Sequence, residues 1–301
     1  MKAPRLVLAC TLFTFVAALT AIAGPRTFVS GLGNDANPGT REQPKRTFAS
    51  ALTVTDTGGE IIALDSAGYA SSTLTIDKAI SIIAPPGVYA GVKVPAFATG
   101  IFVNATAAGM VTLRGLTITG GAVGIEFYSA KAFYLENCTI KGVAGDGFFS
   151  GGAGSVFMKD TSITGCTERG IYIATPSIRL SADNVRLEKN KTGMDINTGS
   201  DAWISHSVIS GNTNWGVRAT ASSSGTVTEV ALEECAITGN GTGLQPDNGT
   251  GTAIIRASNL TVSGNTNLGL ASCCGSLLSR GNNTVEGNGT NGSFSGSFAA
   301  K

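Results

Sequence analysis

The sequence predicts an all-β fold, a single-stranded right-handed parallel β-helix of roughly ten turns with a short N-terminal capping helix. Three observations predict it. A phrase of the form apolar-x-x-(Asn, Asp, Cys or Ser)-x-Ile-x-Gly-Asn recurs along the chain, with its apolar anchor at Ile118, Ile140, Ile163, Leu187, Ile209, Ile237, Val262 and Val285. The intervals are 22, 23, 24, 22, 28, 25 and 23 residues, a period that belongs to solenoids. Apolar residues alternate with period 2 in two segments of each repeat, as in Val208-Ile209-Ser210 and Val217-Arg218-Ala219, and no helical spacing lies between them.

Three columns justify the repeat. Asn190, Asn212, Asn240, Asn265 and Asn288 stand three residues after consecutive anchors, where stacking at about 4.8 Å lets each Asn hydrogen-bond its counterpart in the next coil. Gly124, Gly147, Gly170, Gly193, Gly216, Gly243 and Gly269 follow, and are expected to supply the positive φ of a sharp turn. Ile125, Phe148, Ile171, Met194, Val217, Leu244 and Leu270 come directly after them and are expected to fill the interior. A leucine-rich repeat is the competing solenoid, because Leu232-x-x-Cys235-x-Ile237-x-x-Asn240 fits that pattern; the return segments rich in Gly, Ser and Thr, with a strand rather than a helix pattern, speak against it.

The elements fall in order. Lys2 and Arg5 precede an apolar run from Leu6 to Leu19, and Ala21-Ile22-Ala23 offers a cleavage site, so residues 1–23 read as a signal peptide and the protein as secreted or periplasmic. The apolar run is shorter than the ~20 residues that span a bilayer. Residues 24–60 are expected to hold a strand, a loop and the capping helix, in which Phe48, Ala51 and Leu52 share one face. Residues 61–290 form the β-helix, with less regular turns at its start, and residues 291–301, mostly Gly, Ser, Asn and Ala, form a flexible tail.

Composition excludes several functions. Of 301 residues 42% are hydrophobic and 14% charged, so the chain can bury a core and is not of disordered composition. Taking Lys2 and Arg5 from the 21 basic residues leaves 19 against 20 acidic ones, a net charge of −1, so no polybasic surface for nucleic acid or anionic lipid is expected. Gly at 41 residues favours tight turns, and Pro at 9 argues against a linker-rich chain.

The wording of two stretches resembles a known family. Thr27-Phe-Val-Ser-Gly-Leu-Gly-Asn-Asp-Ala-Asn-Pro-Gly-Thr40 with Thr47-Phe-Ala-Ser-Ala-Leu52 resembles the opening segment of secreted right-handed β-helix proteins of the pectate-lyase-like superfamily. Ala79-Ile-Ser-Ile-Ile83, Val111-Thr-Leu-Arg-Gly-Leu-Thr-Ile118 and Leu135-Glu-Asn-Cys-Thr-Ile140 are similar to a bacterial group of exported β-helix repeat proteins without settled activity. The resemblance implies the fold over nearly all of the chain beyond the leader. Members of the superfamily include polysaccharide lyases, hydrolases and epimerases. The Asn-Thr-Asp, Asp-Asp, Gly-His-Gly and Arg-Ile-Lys segments of polygalacturonases, the calcium-binding acids and the Arg-x-Pro-x-x-Arg of pectate lyases have no counterpart here, so no catalytic residue is carried over.

Two residues after each repeat glycine the side chain should point outward. That column reads Glu126, Phe149, Tyr172, Asp195, Arg218, Gln245 and Ala271, and its first five members are the candidate substrate-binding residues. Rings suit the apolar faces of sugars, while charged groups suit hydroxyls or uronates. Glu126 and Asp195, three coils or about 14 Å apart, are too distant for the carboxyl pair of a glycosidase. Opposite charges are expected side by side on neighbouring coils: Asp195 with Arg218, Asp146 with Arg169, and Glu168 with Lys191. His206, in a column with Asn184 and Glu234, reads as a polar turn residue in preference to an acid or base, and a single His without clustered acids predicts no metal site. Cys138 and Cys235 share an inward column but lie four coils apart and cannot bridge; the adjacent Cys273 and Cys274 are read either as inert thiols or as a strained vicinal disulfide.

These readings lead to an exported, non-catalytic protein that contacts extracellular or cell-wall polysaccharide or serves as a surface interaction scaffold, acting as a monomer, without cofactor, nucleic acid or membrane insertion after cleavage. A divergent polysaccharide lyase or glycoside hydrolase is the alternative, and a purely structural envelope protein a third.

Overall fold

The computed structural model describes residues 24–299, and the expected signal peptide, residues 1–23, lies outside them. The anchors do climb one column. Ile118, Ile140, Ile163, Leu187, Ile209, Ile237, Val262 and Val285 pair in unbroken parallel succession, within a ten-stranded sheet running from Ala67–Ala70 to Thr284–Glu286. We call this the anchor face of a right-handed parallel β-helix.

Each regular coil has three strands where the sequence shows two. After the anchor strand and the repeat glycine comes a middle face, represented by Arg169–Ile173, Thr192–Asn197, Trp215–Thr220 and Thr242–Asp247. The chain then turns into a return face, represented by Ile178–Asp183, Asp201–Ser205, Val227–Glu233 and Thr252–Ser258. Both pair in parallel between successive coils. Within Val123–Glu136 and Asp146–Lys159 the middle and return strands run together through the corner, merging the two faces into one 19-stranded sheet.

The interior is the apolar column expected from alternation: Ile125, Phe148, Ile171, Met194, Val217 and Leu244 are all fully buried. At the two long strands Phe127, Phe133 and Phe148 stack inside with centroids 5.7 and 6.1 Å apart. Each such side chain stabilises the fold by roughly 1.5–3 kcal/mol.

The Asn column is a buried hydrogen-bonded ladder. Asn212 Oδ1 accepts from the backbone N–H of Asn190 at 2.9 Å, Asn240 Oδ1 from that of Asn212 at 3.1 Å, and Asn265 Oδ1 from that of Asn240 at 2.9 Å. Each amide nitrogen also donates to an anchor-strand carbonyl, as Asn240 Nδ2 does to Ile209 at 3.0 Å.

The repeat glycines are in place for a different reason from the one expected. Gly193 does not adopt positive φ; a Cβ there would lie 2.6 Å from both the Gly216 carbonyl and the Ile209 Cγ2. The column is glycine because neighbouring coils approach too closely for a side chain. Positive φ falls instead just after the anchor strand, as at Gly239 (64°), and at the residue entering the anchor strand, as at Asn137 (51°), His206 (47°) and Asn259 (57°).

Phe48–Val54 forms the capping helix, with Phe48, Ala51 and Leu52 buried and the Thr47 side chain accepting the Ser50 N–H at its start. Lys78 Nζ donates to the carbonyls of Leu52 and Thr55 at 2.7 and 2.6 Å, a cation where the helix dipole favours one. At the far end the segment expected to be a flexible tail is laid on the last coil in its described part. Gly296–Ser297 pairs with Leu278 and Ser279, Phe294 packs on the core and Phe298 lies near Arg256 and Arg280. Two phenylalanines give this polar stretch something to bury.

Candidate functional site

The outer column of the middle face is built as the alternation requires. Glu126 pairs with Phe149, Phe149 with Tyr172, Tyr172 with Asp195, Asp195 with Arg218, and Arg218 with Gln245, so the five candidates occupy successive levels. Glu126 sits apart from the rest, accepting the Thr99 hydroxyl at 3.0 Å. The rings of Phe149 and Tyr172 are 5.6 Å apart and tilted by 46°. The Arg169 guanidinium lies 3.6 Å from the Tyr172 ring centroid, covering one ring face.

Asp195 is the centre of the column. It is 7% exposed, and its Oδ1 is buried without a hydrogen-bond partner. The neighbour expected to pair with it does not: Arg218 donates through Nη2 to Asp247 at 2.7 Å, one level further and two residues along the strand. Arg169, on the other side, forms two bonds to Asp146 at 2.8 and 3.1 Å. The levels therefore read Asp146, Arg169, Asp195, Arg218, Asp247, alternating in sign, with each guanidinium committed to an outer carboxylate. Burial pushes the Asp195 carboxyl above its ordinary range, and Arg218 and Arg169 only partly oppose this.

Four of the five unpartnered buried side-chain atoms among the described residues cluster, the fifth being the inward Ser150 Oγ. Beside Asp195 Oδ1, the buried Arg218 Nε, Asn197 Oδ1 and Thr220 Oγ1 also lack partners, and Asn197 pairs in register with Thr220, which pairs with Asp247. Four orphaned polar atoms on adjacent levels of one outer face are unusual, since buried polar groups are ordinarily satisfied. Asn197 Nδ2 reaches the Tyr172 hydroxyl at 3.2 Å, and Trp215 lies under Arg218 at 4.8 Å while donating to Gln245 at 2.8 Å.

Arg169, Asn197, Trp215, Thr220 and Asp247 are thus site residues that the single-column reading missed. Asn197, Thr220 and Asp247 were within reach, because two residues further along a strand is the same face.

His206 faces carboxylates with both ring nitrogens, Nδ1 to Asp183 at 2.7 Å and Nε2 to Glu234 at 3.2 Å. The hydrogen bond to Asp183 raises its pKa and lowers that of Asp183. With both nitrogens engaged, it is a clasp across three coils. Among the described residues no group of three or more His, Cys, Asp or Glu is arranged to hold a metal ion. Cys138, Cys166 and Cys235 are buried free thiols, while Cys273 and Cys274 are exposed with their sulfurs 2.6 Å apart.

The return face carries a second outer column. Tyr134 pairs with Phe157, Phe157 with Ser181, Ser181 with Trp203, Trp203 with Ala231, and Ala231 with Arg256. Tyr134 and Phe157 stack at 5.0 Å and 13°. Trp203 is 50% exposed and stands between two small residues.

Residues 99–267 match the family described as the right handed beta helix region. Among solved structures, pectate lyase Pel9A is similar, at 17% identity and a TM-score of 0.70, over 91% of this chain and 78% of that one. The GH136 lacto-N-biosidase from Eubacterium ramulus is similar at 10% identity and a TM-score of 0.46, over 92% of this chain and 67% of that one. A rhamnogalacturonan lyase is similar at 13% identity and 0.41, over 84% and 72%. No curated protein matches the sequence. At 17% identity the likeness to pectate lyase Pel9A concerns the fold.

Proposed function

The chain belongs to the right-handed β-helix family, and from that premise we propose that it is an exported, non-catalytic protein that binds a polysaccharide along its middle face. The single observation that carries this reading is the group of unpartnered atoms on Asp195, Asn197, Arg218 and Thr220. Donors and acceptors at neighbouring levels, beside the aromatic rings of Tyr172 and Trp215, suit a ligand that offers alternating hydroxyls and apolar ring faces. The fold shared with a pectate lyase is consistent with a sugar-chain ligand.

The charge balance favours a neutral glycan. Three carboxylates face two guanidinia, and both guanidinia are already paired, so a polyuronate would meet a face without free positive charge. The same pairs speak against a glycosidase on this face: Asp146 and Asp247 are held by arginines, Glu126 stands three levels from Asp195, and a glycosidase needs two carboxyl groups within about 5–9.5 Å.

The test is affinity electrophoresis of the purified protein through gels containing neutral or uronate-rich polysaccharides. Retardation by a neutral polymer, reduced about tenfold in apparent affinity by Arg218→Ala or Tyr172→Ala, is the expected result. Equal migration in every gel sinks the reading.

One observation favours catalysis as a second reading. A buried carboxyl with raised pKa is a candidate proton donor or acceptor. Release of reducing or unsaturated sugars, abolished by Asp195→Asn, would replace binding with turnover.

A further inference from the structure

We propose that Cys273 and Cys274 form a thiol–disulfide exchange site, a vicinal dithiol that a small disulfide closes into a ring and an excess of small thiol reopens. The pair stands at the last corner after the middle face, and its chemistry does not depend on sugar binding.

The chain holds two kinds of thiol. Cys138, Cys166 and Cys235 are buried, and burial pushes them up to about 12, 12 and 11, so none of the three offers a thiolate near neutral pH. Cys273 and Cys274 are the exposed thiols among the described residues, and their sulfurs face each other at 2.6 Å. Stacking does not ask for a thiol at this place. Cys274 pairs in parallel with Asp247, which follows Thr220 and Asn197 on the preceding levels. A carboxylate, a hydroxyl and an amide fill the same place in those coils, and the last coil puts a nucleophile there.

The corner ties down one half of the pair. Cys273 and Cys274 connect the strand Leu268–Leu270 to Ser276–Ser279. The Cys274 carbonyl accepts the Asn248 N–H at 2.6 Å, and Asn248 Oδ1 in turn accepts the Ala253 N–H at 2.8 Å. Gly275 follows where a side chain has no room, since a Cβ there would lie 2.7 Å from the Pro246 Cβ. Cys274 is held by its backbone while both residues stay open to solvent, which is the access that exchange needs.

The order of attack follows from the contact between the sulfurs. The hydrogen bond to Cys273 pushes the Cys274 thiol above its ordinary value, and Asp247 adds to this, so Cys274 holds its proton while Cys273 attacks. The Cys273 thiolate takes one sulfur of the incoming disulfide, whose S–S bond breaks and releases a first thiolate. Cys274 then attacks the Cys273 sulfur, the mixed disulfide breaks and a second thiolate leaves. The two protons given up by the cysteines end on the two departing thiolates. The pair is thus oxidised by two electrons and the small disulfide reduced by two. Because the resolving thiol is the next residue, the second step is intramolecular and fast.

Reopening follows from covalent spacing. Consecutive Cα atoms stand about 3.8 Å apart across a trans peptide, short of the roughly 4.4–6.8 Å that disulfides usually span. A bond between neighbours is therefore strained and readily reduced, which separates an exchanging disulfide from a structural one.

The test is glutathione exchange on the purified protein, first reduced, read by mass spectrometry after the remaining thiols are blocked with iodoacetamide. Trypsin cuts after Arg256 and Arg280 and releases residues 257–280, a peptide whose cysteines are Cys273 and Cys274 alone. After oxidised glutathione, that peptide is expected to escape blocking and to be lighter by two hydrogens. It should carry at least about tenfold less glutathione than the same peptide of Cys274→Ser, where no resolving thiol remains. Reduced glutathione in excess should restore both blockable thiols. Cys274 is exposed, and a melting temperature equal to that of the unchanged protein would show that Cys274→Ser keeps the fold; Cys273→Ser, which should also retain its glutathione, is the second variant. Equal glutathione adducts on the unchanged protein and both variants would overturn the proposal, because the two thiols would then act alone. A closed pair that reduced glutathione fails to reopen would overturn it as a structural disulfide, and a peptide still fully blocked after oxidised glutathione would overturn it as a pair of inert thiols.

Discussion

Replacing Asn240 by Ala should be among the most damaging single changes in the β-helix. The Asn240 side chain is fully buried and makes four hydrogen bonds. Oδ1 accepts from the Asn212 backbone N–H and Nδ2 at 3.1 and 2.8 Å, and Nδ2 donates to the Ile209 carbonyl and to Asn265 Oδ1, both at 3.0 Å. At a net ~0.5–1.5 kcal/mol each, their loss totals roughly 2–6 kcal/mol, and the stranded Asn212 N–H accounts for ~1–3 of it. A value of about 4 kcal/mol is expected, against the ~5–15 kcal/mol that ordinarily separates folded from unfolded chains. Asn288→Ala removes a partly exposed ladder member and leaves a space at the end of the ladder that water can enter, so it should cost about 1 kcal/mol. Urea denaturation of both variants, with amide exchange followed at Asn212, measures the difference. If Asn240→Ala costs under about 1 kcal/mol, or no more than Asn288→Ala, the ladder is a by-product of stacking and not a cause of stability.

Three further outcomes follow from the geometry. Gly193→Ala should lower the urea midpoint more than Gly239→Asn. The first drives a methyl group to 2.6 Å from a carbonyl, while the second keeps a residue that tolerates φ of 64° in open space; the opposite order would return the column to a conformational role. In the native protein, a disulfide reagent at pH 8 should react fast with Cys273 and Cys274 alone among the described cysteines. Burial pushes Cys138 and Cys166 up to about 12 and Cys235 up to about 11, and rapid release from the Cys273→Ser, Cys274→Ser double variant would refute this. His206 should titrate above its ordinary value by proton NMR, because Asp183 holds its charged form. Its clasp then contributes below about pH 6.5 and is lost as the pH rises through the higher folded value, so Asp183→Asn should return the titration towards the ordinary value, and an unchanged curve would refute the pairing.

The fold was legible because a solenoid turns sequence intervals into contacts. The eight anchors and five asparagines needed only their spacing to be placed. The return strand escaped although its last inward residue, as at Ala182, Ile204 and Leu232, stands five residues before each next anchor and opens the repeated phrase. What varies is the corner before it: a loop separates Trp215–Thr220 from Val227–Glu233, whereas Thr192–Asn197 leads to Asp201–Ser205 within a few residues, so the two strands keep no fixed spacing by which to tell them apart. The glycines were rightly placed and wrongly explained, since a sequence shows that a side chain is missing but not whether torsion or crowding removed it. At the middle face the column was legible and the partners were not. Register sets Arg218 level with Asp195, yet its side chain is long enough to reach diagonally to Asp247, where the carboxylate is more open to water, with 30% of that side chain exposed. Pairing by nearest level fails wherever a long side chain can choose.

The asparagine ladder also has a direction. Each side-chain oxygen caps the backbone amide of the coil before it, so Asn190 closes on Cys166, Asn212 on Asn190, and so on to Asn288, whose own amide is met by Asn291 in the final turn. A coil is consequently completed by its successor. A chain threaded out of a ribosome or a translocon, N-terminus leading, carries one open donor at its growing end until the following two dozen residues arrive. Any cut between coils reopens one. Asn291 supplies the stop from within its own turn, so the series finishes without an unanswered amide offered to a second molecule.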